Sequence, residues 1–400
     1  MIVQKYGGSS VATVEKIKRV AEKIKRVIQE GEKVCVVVSA MGKTTDGLIS
    51  LAKKISGTPE PRELDMLLST GEQVTAALLS IALNELGIPS VSLNALQLEM
   101  ITTPDFNNAR IIDINTEKLM EEFKTNDVVV VTGFQGITDF KDVTTLGRGG
   151  SDTSAVAIAA KLNARCEIYS DVPGIFACDP KIVPSAKKLS YITYDELMEL
   201  ASMGAKVIHF RAVEIAKKFN VELYSTSAHS DERGTYVVNT LPDWLEQPVV
   251  TGVAMDKNQR KFVISPLPGG QKTQVHLFMT LASQNINLDM ISMIKNNGNA
   301  CLSFTVTEDA SESVRKTVEH ILSEYGEHAH VEDDEVAKIT AIGVGINSTP
   351  EVVARFFAAL DKEEIKLLGT STSEIKISTL VPRGNAEKAV KTVAEEFSLS

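Results

Sequence analysis

The stretch Lys33–Gly42, KVCVVVSAMG, decides the fold. Val34 to Val38 form an unbroken apolar run that stops at Ser39, Ala40 and Gly42. A strand with one wet face would alternate in polarity. An unbroken run marks a strand covered on both faces, as in a parallel sheet between helices. Asp127–Gly136, DVVVVTGFQG, repeats the form, and MIVQKY, CEIYSDVPG (from Cys166) and VELYSTS (from Val221) supply further strands. Between them Val14, Ile17, Ala21, Ile24 and Ile28 recur at helical spacing, and residues 152–162, 193–203 and 211–219 read as helices. Strand and helix therefore alternate, which predicts an α/β architecture with a largely parallel sheet. Such sheets bind ligands beyond the carboxyl ends of their strands, where this chain gathers Gly, Ser, Thr and Asp.

Four hundred residues exceed one ordinary core, so more than one domain is expected. A net charge of -10 argues against nucleic acid as a partner. The N-terminus lacks the apolar core of a signal peptide and no apolar run is long enough to cross a membrane, so a cytoplasmic protein is expected. Cys35, Cys166, Cys178 and Cys301 form no C-x-x-C pair and read as reduced thiols.

The texture changes at NTLPDWLEQPVV, where Pro242 and Pro248 flank the one tryptophan, Trp244. Beyond it, residues 277–292 echo residues 355–370: Phe278 aligns with Phe357, Leu281 with Leu360 and Ile286 with Ile365. Each copy continues into a strand and a helix, giving a βαββα unit used twice, as in ferredoxin-like sandwiches. EHAHVEDDE between the copies reads as a solvated linker. His328 and His330 lack a third metal ligand. The expected domains are 1–245, 246–335 and 336–400, with a strand from 248–256 available to complete the last.

Polar clusters follow the strands. TTLGRGGSDTSAVAIAA, Thr144–Ala160, sets Arg148 among glycines, then Ser151 and Asp152 at the mouth of an apolar helix. Glycines and a helix N-terminus suit an anion, and the Arg148 fork suits a carboxylate or phosphate. Asp152 would repel an anion but hold an ammonium group. A ligand carrying both charges, such as an amino acid, satisfies the whole motif. Lys5 with Gly7, Gly8, Ser9 and Ser10 makes a candidate phosphate cradle, or else a plain strand–helix turn; neither a P-loop nor a dinucleotide fingerprint is present. Ser39, Gly42, Thr44 and Thr45 form a polar loop after a strand. Glu72 opens a long apolar helix, where capping is the simpler role. Ser170, Asp171 and Asp179 lie at strand ends and turns, and Lys206 is a further candidate cation.

In their order, KYGGSSV, VVSAMGKTTD, LLSTGE, GFQGIT, TTLGRGGSDTSA, DPKIVPSAKKL, ELASMGAKVIH and TSTSEIKIS resemble the aspartate kinases of the amino-acid kinase family, over the whole of residues 1–400. The resemblance implies a three-layer αβα amino-acid kinase fold followed by two ferredoxin-like ACT units. It implies phosphorylation of the L-aspartate side-chain carboxylate by ATP, giving 4-phospho-L-aspartate. That nucleophile is already ionised near neutral pH, so no general base is required, which accords with the lack of any His- or Ser-based nucleophile motif. Catalysis would rest on positioning and charge.

By the same resemblance Lys5 neutralises the transferring phosphoryl group and Gly7, Gly8 and Ser9 cradle phosphate oxygens. Arg148 grips the substrate α-carboxylate, Glu72 and Asp152 its ammonium group, and Ser39, Thr45, Gly150 and Ser151 complete the pocket. Ser170, Asp171, Phe176, Asp179, Lys181 and Lys206 fall on the nucleotide side, with Mg²⁺ carried mainly by the phosphates. Pro268, Gly269, Gly270, Asp289, Met290 and Ser292 form an effector site for L-lysine, in which Asp289 either attracts the ligand's cationic side chain or merely ends a strand. A homodimer or dimer of dimers through the ACT units is implied. Because the chain ends at Ser400, a monofunctional enzyme is expected.

The sequence departs from the family pattern mildly at Tyr6 and Ser9, and on the nucleotide side at Phe176, Lys181 and Phe210. Lys181 replaces a common Arg and loses its bidentate fork. Another amino-acid or carbamate kinase of the same fold, and an amino-acid sensor without turnover, are the rival readings. A nicotinamide enzyme would need a fingerprint that the chain lacks.

Overall fold

A computed structural model describes residues 1–203, 208–242, 249–296, 299–324 and 329–400, the side chains of 296, 299 and 347 excepted. Trp244, where the sequence changes texture, lies outside the described residues. The chain divides into two compact units, Met1–Ile175 with Lys188–Glu246, and Phe176–Lys187 with Gln247–Ser400.

The first unit opens with β1 (Ile2–Tyr6), α1 (Val14–Gln29) and β2 (Val34–Val38). Helices α2 (Thr44–Ile55), α3 (Pro61–Leu68) and α4 (Thr70–Glu85) follow. Next come β3 (Ser90–Leu93), α5 (Ala95–Leu98), β4 (Met100–Thr102), β5 (Ile111–Ile114), α6 (Glu117–Glu122), β6 (Val128–Thr132), β7 (Gln135–Ile137) and β8 (Val143–Thr145). The remainder is α7 (Gly150–Leu162), β9 (Arg165–Ser170), β10 (Tyr191–Thr193), α8 (Tyr194–Ser202), α9 (Phe210–Phe219), β11 (Leu223–Ser227) and β12 (Thr235–Val238).

Eight strands form the main sheet in the order β10-β12-β11-β9-β1-β2-β6-β3. Only the β11–β12 pair is antiparallel. The unbroken apolar runs have the expected cause, since every residue of β1, β2 and β6 is buried. On one face α1 and α4 pack Val20, Ile24, Leu79 and Leu83 against Tyr6, Val36 and Val130. On the other lies α7, whose residues Gly150 and Asp152 to Ala159 are all buried. Its small side chains let a helix sit flat on the strands. Helix, sheet and helix thus make the three layers of the amino-acid kinase fold.

A small second sheet, β5-β4-β7-β8, carries the segment leading to Arg148. Its strands are three or four residues long, too short to show a period in the sequence. The stretch Pro61–Glu85 has the length and hydropathy of a membrane span, which the reading of apolar runs did not anticipate. Asp65 and Glu72 within it are buried at 0 % and 3 % exposure, each accepting hydrogen bonds from protein groups, which marks a core helix pair.

The second unit contains β13 (Gly252–Ser265), α10 (Gln271–Ser283), β14 (Asp289–Asn296), β15 (Asn299–Thr307), α11 (Ser311–Glu324), β16 (His330–Ile342), α12 (Pro350–Lys362), β17 (Gly369–Thr372), β18 (Lys376–Pro382) and α13 (Ala386–Glu396). The βαββα order therefore occurs twice. Both copies share one antiparallel sheet, β14-β15-β13-β16-β18-β17. β13 serves both: Gln259–Ile264 lies between β15 and β16, while Gly252–Asp256 pairs with Lys338–Ile342. Phe262 stacks on Phe304 at 5.7 Å in the core of the first copy.

The linker reading of EHAHVEDDE is corrected here. From His330 onward it is the first half of β16, paired with Ser265–Gln259. Backbone pairing holds it although its side chains are polar, and Asp333, 4 % exposed, binds Arg260 and Arg315.

Candidate active site

Beyond the carboxyl ends of the central strands lies a cleft of about 970 Å³. Gly8, Ser39, Thr45, Glu72, Arg148, Gly150, Ser151 and Asp152 line it, so most of the residues chosen from sequence for substrate meet in one place. Parallel strands do this by topology: β1, β2 and β6 end side by side, and the loops after them face one another.

Lys5, one residue before the end of β1, is 9 % exposed and pairs with Asp152 Oδ1 at 2.5 Å. Asp152, in the first turn of α7, also accepts the His209 backbone N–H at Oδ2, 3.2 Å. One carboxylate thus ties the sheet, α7 and the residue before α9 together. The sequence reading gave Lys5 and Asp152 separate partners, whereas in the structure they pair with each other.

Glu72 does not act as a plain helix cap. Its Oε1 accepts the Ala40 N–H at 2.9 Å, across from the end of β2, and its buried Oε2 has no hydrogen-bond partner among the described residues. Burial pushes its carboxyl up to about 7, opposed by the Ala40 bond. A desolvated oxygen aimed at a polar cleft is what an ammonium group needs in order to bind tightly. Beside it Ser39 Oγ and Ser151 Oγ lie 2.7 Å apart.

Arg148 is exposed, between Gly147 and Gly149, both in the left-handed region at φ 75° and 69°. Gly149 cannot be replaced freely, since a Cβ there would lie 2.1 Å from His209 Cγ. Burial pulls the His209 imidazole pKa down; Asp152 opposes this and Arg211 adds to it. In sequence His209 closes the motif ELASMGAKVIH, with no role of its own. Its place against Asp152 and Gly149 arises from residues 57 and 60 positions away in the chain.

The phosphate side is arranged differently from the sequence reading. α1 begins at Val14, capped by Thr13, so Gly7 and Gly8 lie in a turn ahead of the helix rather than at its mouth. The Gly7 N–H donates to Tyr169 O at 3.2 Å. Gly8 is required by contact, because a Cβ would sit 2.7 Å from Ala40 O. Ser9 is exposed and its carbonyl accepts Lys16 Nζ at 2.7 Å. Ser170 ends β9, with its Oγ bound to the Val172 backbone, and Asp171 beside it is exposed. Phe176, Asp179 and Lys181 belong to the second unit, where Asp179 Oδ1 accepts the Lys181 N–H at 2.9 Å. Lys206 lies outside the described residues, as does His328. Among the described residues no cluster of three or more His, Cys, Asp or Glu side chains is placed to hold a metal.

In the second unit Gly269 and Gly270 stand at φ 65° and 56° just before α10. Buried Pro268 takes the Thr273 hydroxyl on its carbonyl. Met290 and Ser292 lie on β14 at a bulge, and the Met290 N–H donates to Asp289 Oδ1 at 2.8 Å. Asp289 is half-exposed and bonded to Lys338, itself 7 % exposed. Burial favours its neutral form, but the Lys338 bond and charge outweigh this and hold the carboxyl below its usual range.

The chain is similar to known proteins over its whole length. The model of the amino acid kinase family matches residues 1–225, and an ACT domain model matches residues 339–397. Aspartokinase 2 of Bacillus subtilis is 45 % identical over 406 aligned residues, covering 100 % of this chain and 98 % of its own. The aspartokinase of Mycolicibacterium smegmatis is 43 % identical, with 100 % and 96 % covered. Among solved structures, aspartate kinase from Synechocystis is 41 % identical with a TM-score of 0.56, covering 100 % of this chain and 70 % of that one. Escherichia coli aspartokinase III, in complex with aspartate and ADP, shares the fold at a TM-score of 0.82 and 23 % identity, with 99 % of each chain covered.

Proposed function

The chain belongs to the aspartate kinases of the amino acid kinase family, and on that premise we propose how its residues carry out and regulate the phosphorylation. The observation that carries the reading is one cleft with two charge receptors: Arg148 on a glycine loop, and Glu72 with a buried oxygen that has no hydrogen-bond partner among the described residues. L-Aspartate fits with its α-carboxylate on Arg148 and its ammonium group between Glu72 and Asp152. Its side-chain carboxylate then points toward Lys5.

When ATP binds, a side-chain carboxylate oxygen attacks the γ-phosphorus, the bond to the β-bridging oxygen breaks, and ADP leaves with the electron pair. The substrate ammonium takes over Asp152, and Lys5, released from that pair, meets the negative charge spread over the transferring group. Residues around a pre-set pair need little rearrangement, which is where positioning contributes most. Gly8, Ser170 and Asp171 are proposed for the nucleotide side. Mg²⁺ enters with the phosphates, whose oxygens and water would supply its ligands. Cys35, Cys166 and Cys178 are buried and, with Cys301, are read as reduced thiols of a cytoplasmic protein.

The second unit is read as the sensor of L-lysine, through Pro268, Gly269, Gly270, Asp289, Met290 and Ser292. Asp289 already holds the ammonium of a lysine side chain, Lys338, which is the chemistry the effector would bring. The end strand β14 leaves Ile291 and Ile294 exposed at 49 % and 62 %, a surface suited to a second copy in a homodimer.

The product is an acyl phosphate, which hydroxylamine converts to a hydroxamate. Purified protein with ATP, Mg²⁺, L-aspartate and hydroxylamine should accumulate aspartyl hydroxamate, and L-lysine should suppress it. No hydroxamate from folded protein would refute the catalytic reading; hydroxamate that ignores lysine would remove the effector assignment alone.

A further inference from the structure

We propose that Asp65 and Arg211 are positioning residues that clamp the Thr145–Leu146 backbone from opposite sides and so set Arg148 for the substrate carboxylate. The inference rests on the reading of Arg148 as the α-carboxylate receptor.

Asp65 lies on α3 and is fully buried. Its Oδ2 accepts the Thr145 N–H at 2.8 Å and the Asn107 N–H at 2.9 Å, and its Oδ1 accepts the Thr145 hydroxyl at 2.6 Å. Arg211 lies in the first turn of α9 and reaches the other side. Its guanidinium donates to Leu146 O at 2.6 Å and to Ala109 O at 2.9 Å. Every backbone polar group of Thr145 and Leu146 is then used: Thr145 O takes the Ala109 N–H at 2.9 Å, and the Leu146 N–H reaches Phe134 O at 2.8 Å. The next residues are Gly147 and Arg148.

Two glycines beside Arg148 give its backbone wide freedom. Behind it the loop is tied to α7, where Gly149 O accepts the Thr153 N–H at 3.0 Å and the Thr153 hydroxyl at 3.1 Å, and one internal bond, Gly150 N–H to Gly147 O at 3.0 Å, closes it. Ahead of it the Thr145–Leu146 segment is fixed from outside. A carboxylate taking three hydrogen bonds and a guanidinium taking two carbonyls do this with charge-assisted bonds. Arg211 has a second connection, because His209, two residues earlier, donates its N–H to Asp152. The start of α9 thus spans both substrate receptors, the anion loop through Leu146 and the ammonium carboxylate through His209. A buried carboxylate and a half-buried guanidinium with no substrate contact are costly to keep unless their geometry matters.

The test is steady-state kinetics of Asp65→Asn, Asp65→Ala, Arg211→Lys and Arg211→Met in the full-length protein. Circular dichroism confirms folding, and each variant is repeated on an Arg148→Ala background. KM for L-aspartate should rise about tenfold or more in Asp65→Ala and Arg211→Met, with KM for ATP within about twofold. Asp65→Asn should recover most of the loss, because its amide oxygen still takes both N–H groups and its NH₂ can donate to the Thr145 hydroxyl. On the Arg148→Ala background the same changes should add little to the loss in kcat/KM, since positioning residues act through the group they position. If Asp65→Ala does not fold, Asp65→Asn and the Arg211 variants still decide the matter. Folded Arg211→Met with an unchanged KM for aspartate, or losses fully additive with Arg148→Ala, would overturn the clamp while leaving the kinase in place. A wild-type protein that shows no aspartate turnover would instead remove the reading of Arg148, and the clamp with it.

Discussion

Glu72→Gln should make the protein more stable and less active, and the gain should depend on pH. Folded Glu72 holds its proton up to about pH 7, whereas the unfolded chain releases it near 4.5. Between those values the native state binds more protons, so wild-type stability falls as pH rises through the window. At about 1.36 kcal/mol per pH unit the full difference amounts to roughly 3 kcal/mol above pH 7. The substituted amide would not titrate, would keep the Ala40 bond, and would leave an NH₂ where Oε2 has no partner, costing about 1 kcal/mol. The net gain at pH 8 is about 2 kcal/mol, or roughly 4–8 °C in Tm for a unit of this size. At pH 4.5 both side chains are largely neutral, so the gain should vanish and the unpaired NH₂ leave a loss of up to about 1 kcal/mol. Thermal unfolding of ligand-free protein between pH 4.5 and 8.5, followed by circular dichroism, reads this directly. A gain that is equal at both ends, or a loss at pH 8, would refute the idea that Glu72 is a desolvated charge held ready for ligand. The same titration should make wild-type kcat/KM for aspartate fall about tenfold per pH unit below pH 7.

Other expectations follow from contacts described above. Gly149→Ala places a methyl 2.1 Å from His209 Cγ at a φ of 69°, so it should lower kcat/KM for aspartate by about 100-fold or more through displacement of His209 and Asp152; near-normal kinetics would contradict that packing. Lys5→Ala should abolish turnover and also destabilise by about 3–5 kcal/mol, because Asp152 is left buried without its counter-charge. Adding Asp152→Asn should restore much of the stability and none of the activity, which urea unfolding and ADP release would check. Lys338→Met removes the internal ammonium from Asp289, so L-lysine should inhibit at roughly three- to tenfold lower concentration; weaker inhibition would show that Lys338 supports the effector instead.

The central strands of the first unit were legible because burial on both faces forces an unbroken apolar run, as in Val34–Val38 and Val128–Thr132, whereas β3, β10, β12 and the short strands of the second sheet were not read. The repeat was legible because Leu281 and Leu360 must both be fully buried for their helices to pack. β16 was misread in its first half because hydrogen bonding to β13 holds it there, and backbone pairing leaves no mark on side-chain polarity. Within the site, Arg148, Ser151 and Asp152 announced themselves through glycines and a helix start. Asp65 and Arg211 did not, because each looks like an ordinary charge on a helix and acts on backbone 65 to 80 residues away. The bond from the Gly7 N–H to Tyr169 O was hidden for the same kind of reason, since Tyr169 lies on a strand paired with β1 only through the fold.

The central claim is that the cleft selects a substrate with both an α-carboxylate and an ammonium group. The most direct measurement is ADP formation from ATP and Mg²⁺ with L-aspartate, succinate or β-alanine, with Lys5→Ala as control. Succinate lacks the ammonium group and β-alanine lacks the α-carboxylate. The account predicts turnover with L-aspartate, at least about 100-fold lower kcat/KM for succinate and β-alanine, and none in the variant. Succinate turned over as well as aspartate would contradict the roles of Glu72 and Asp152, and β-alanine turned over as well would contradict that of Arg148.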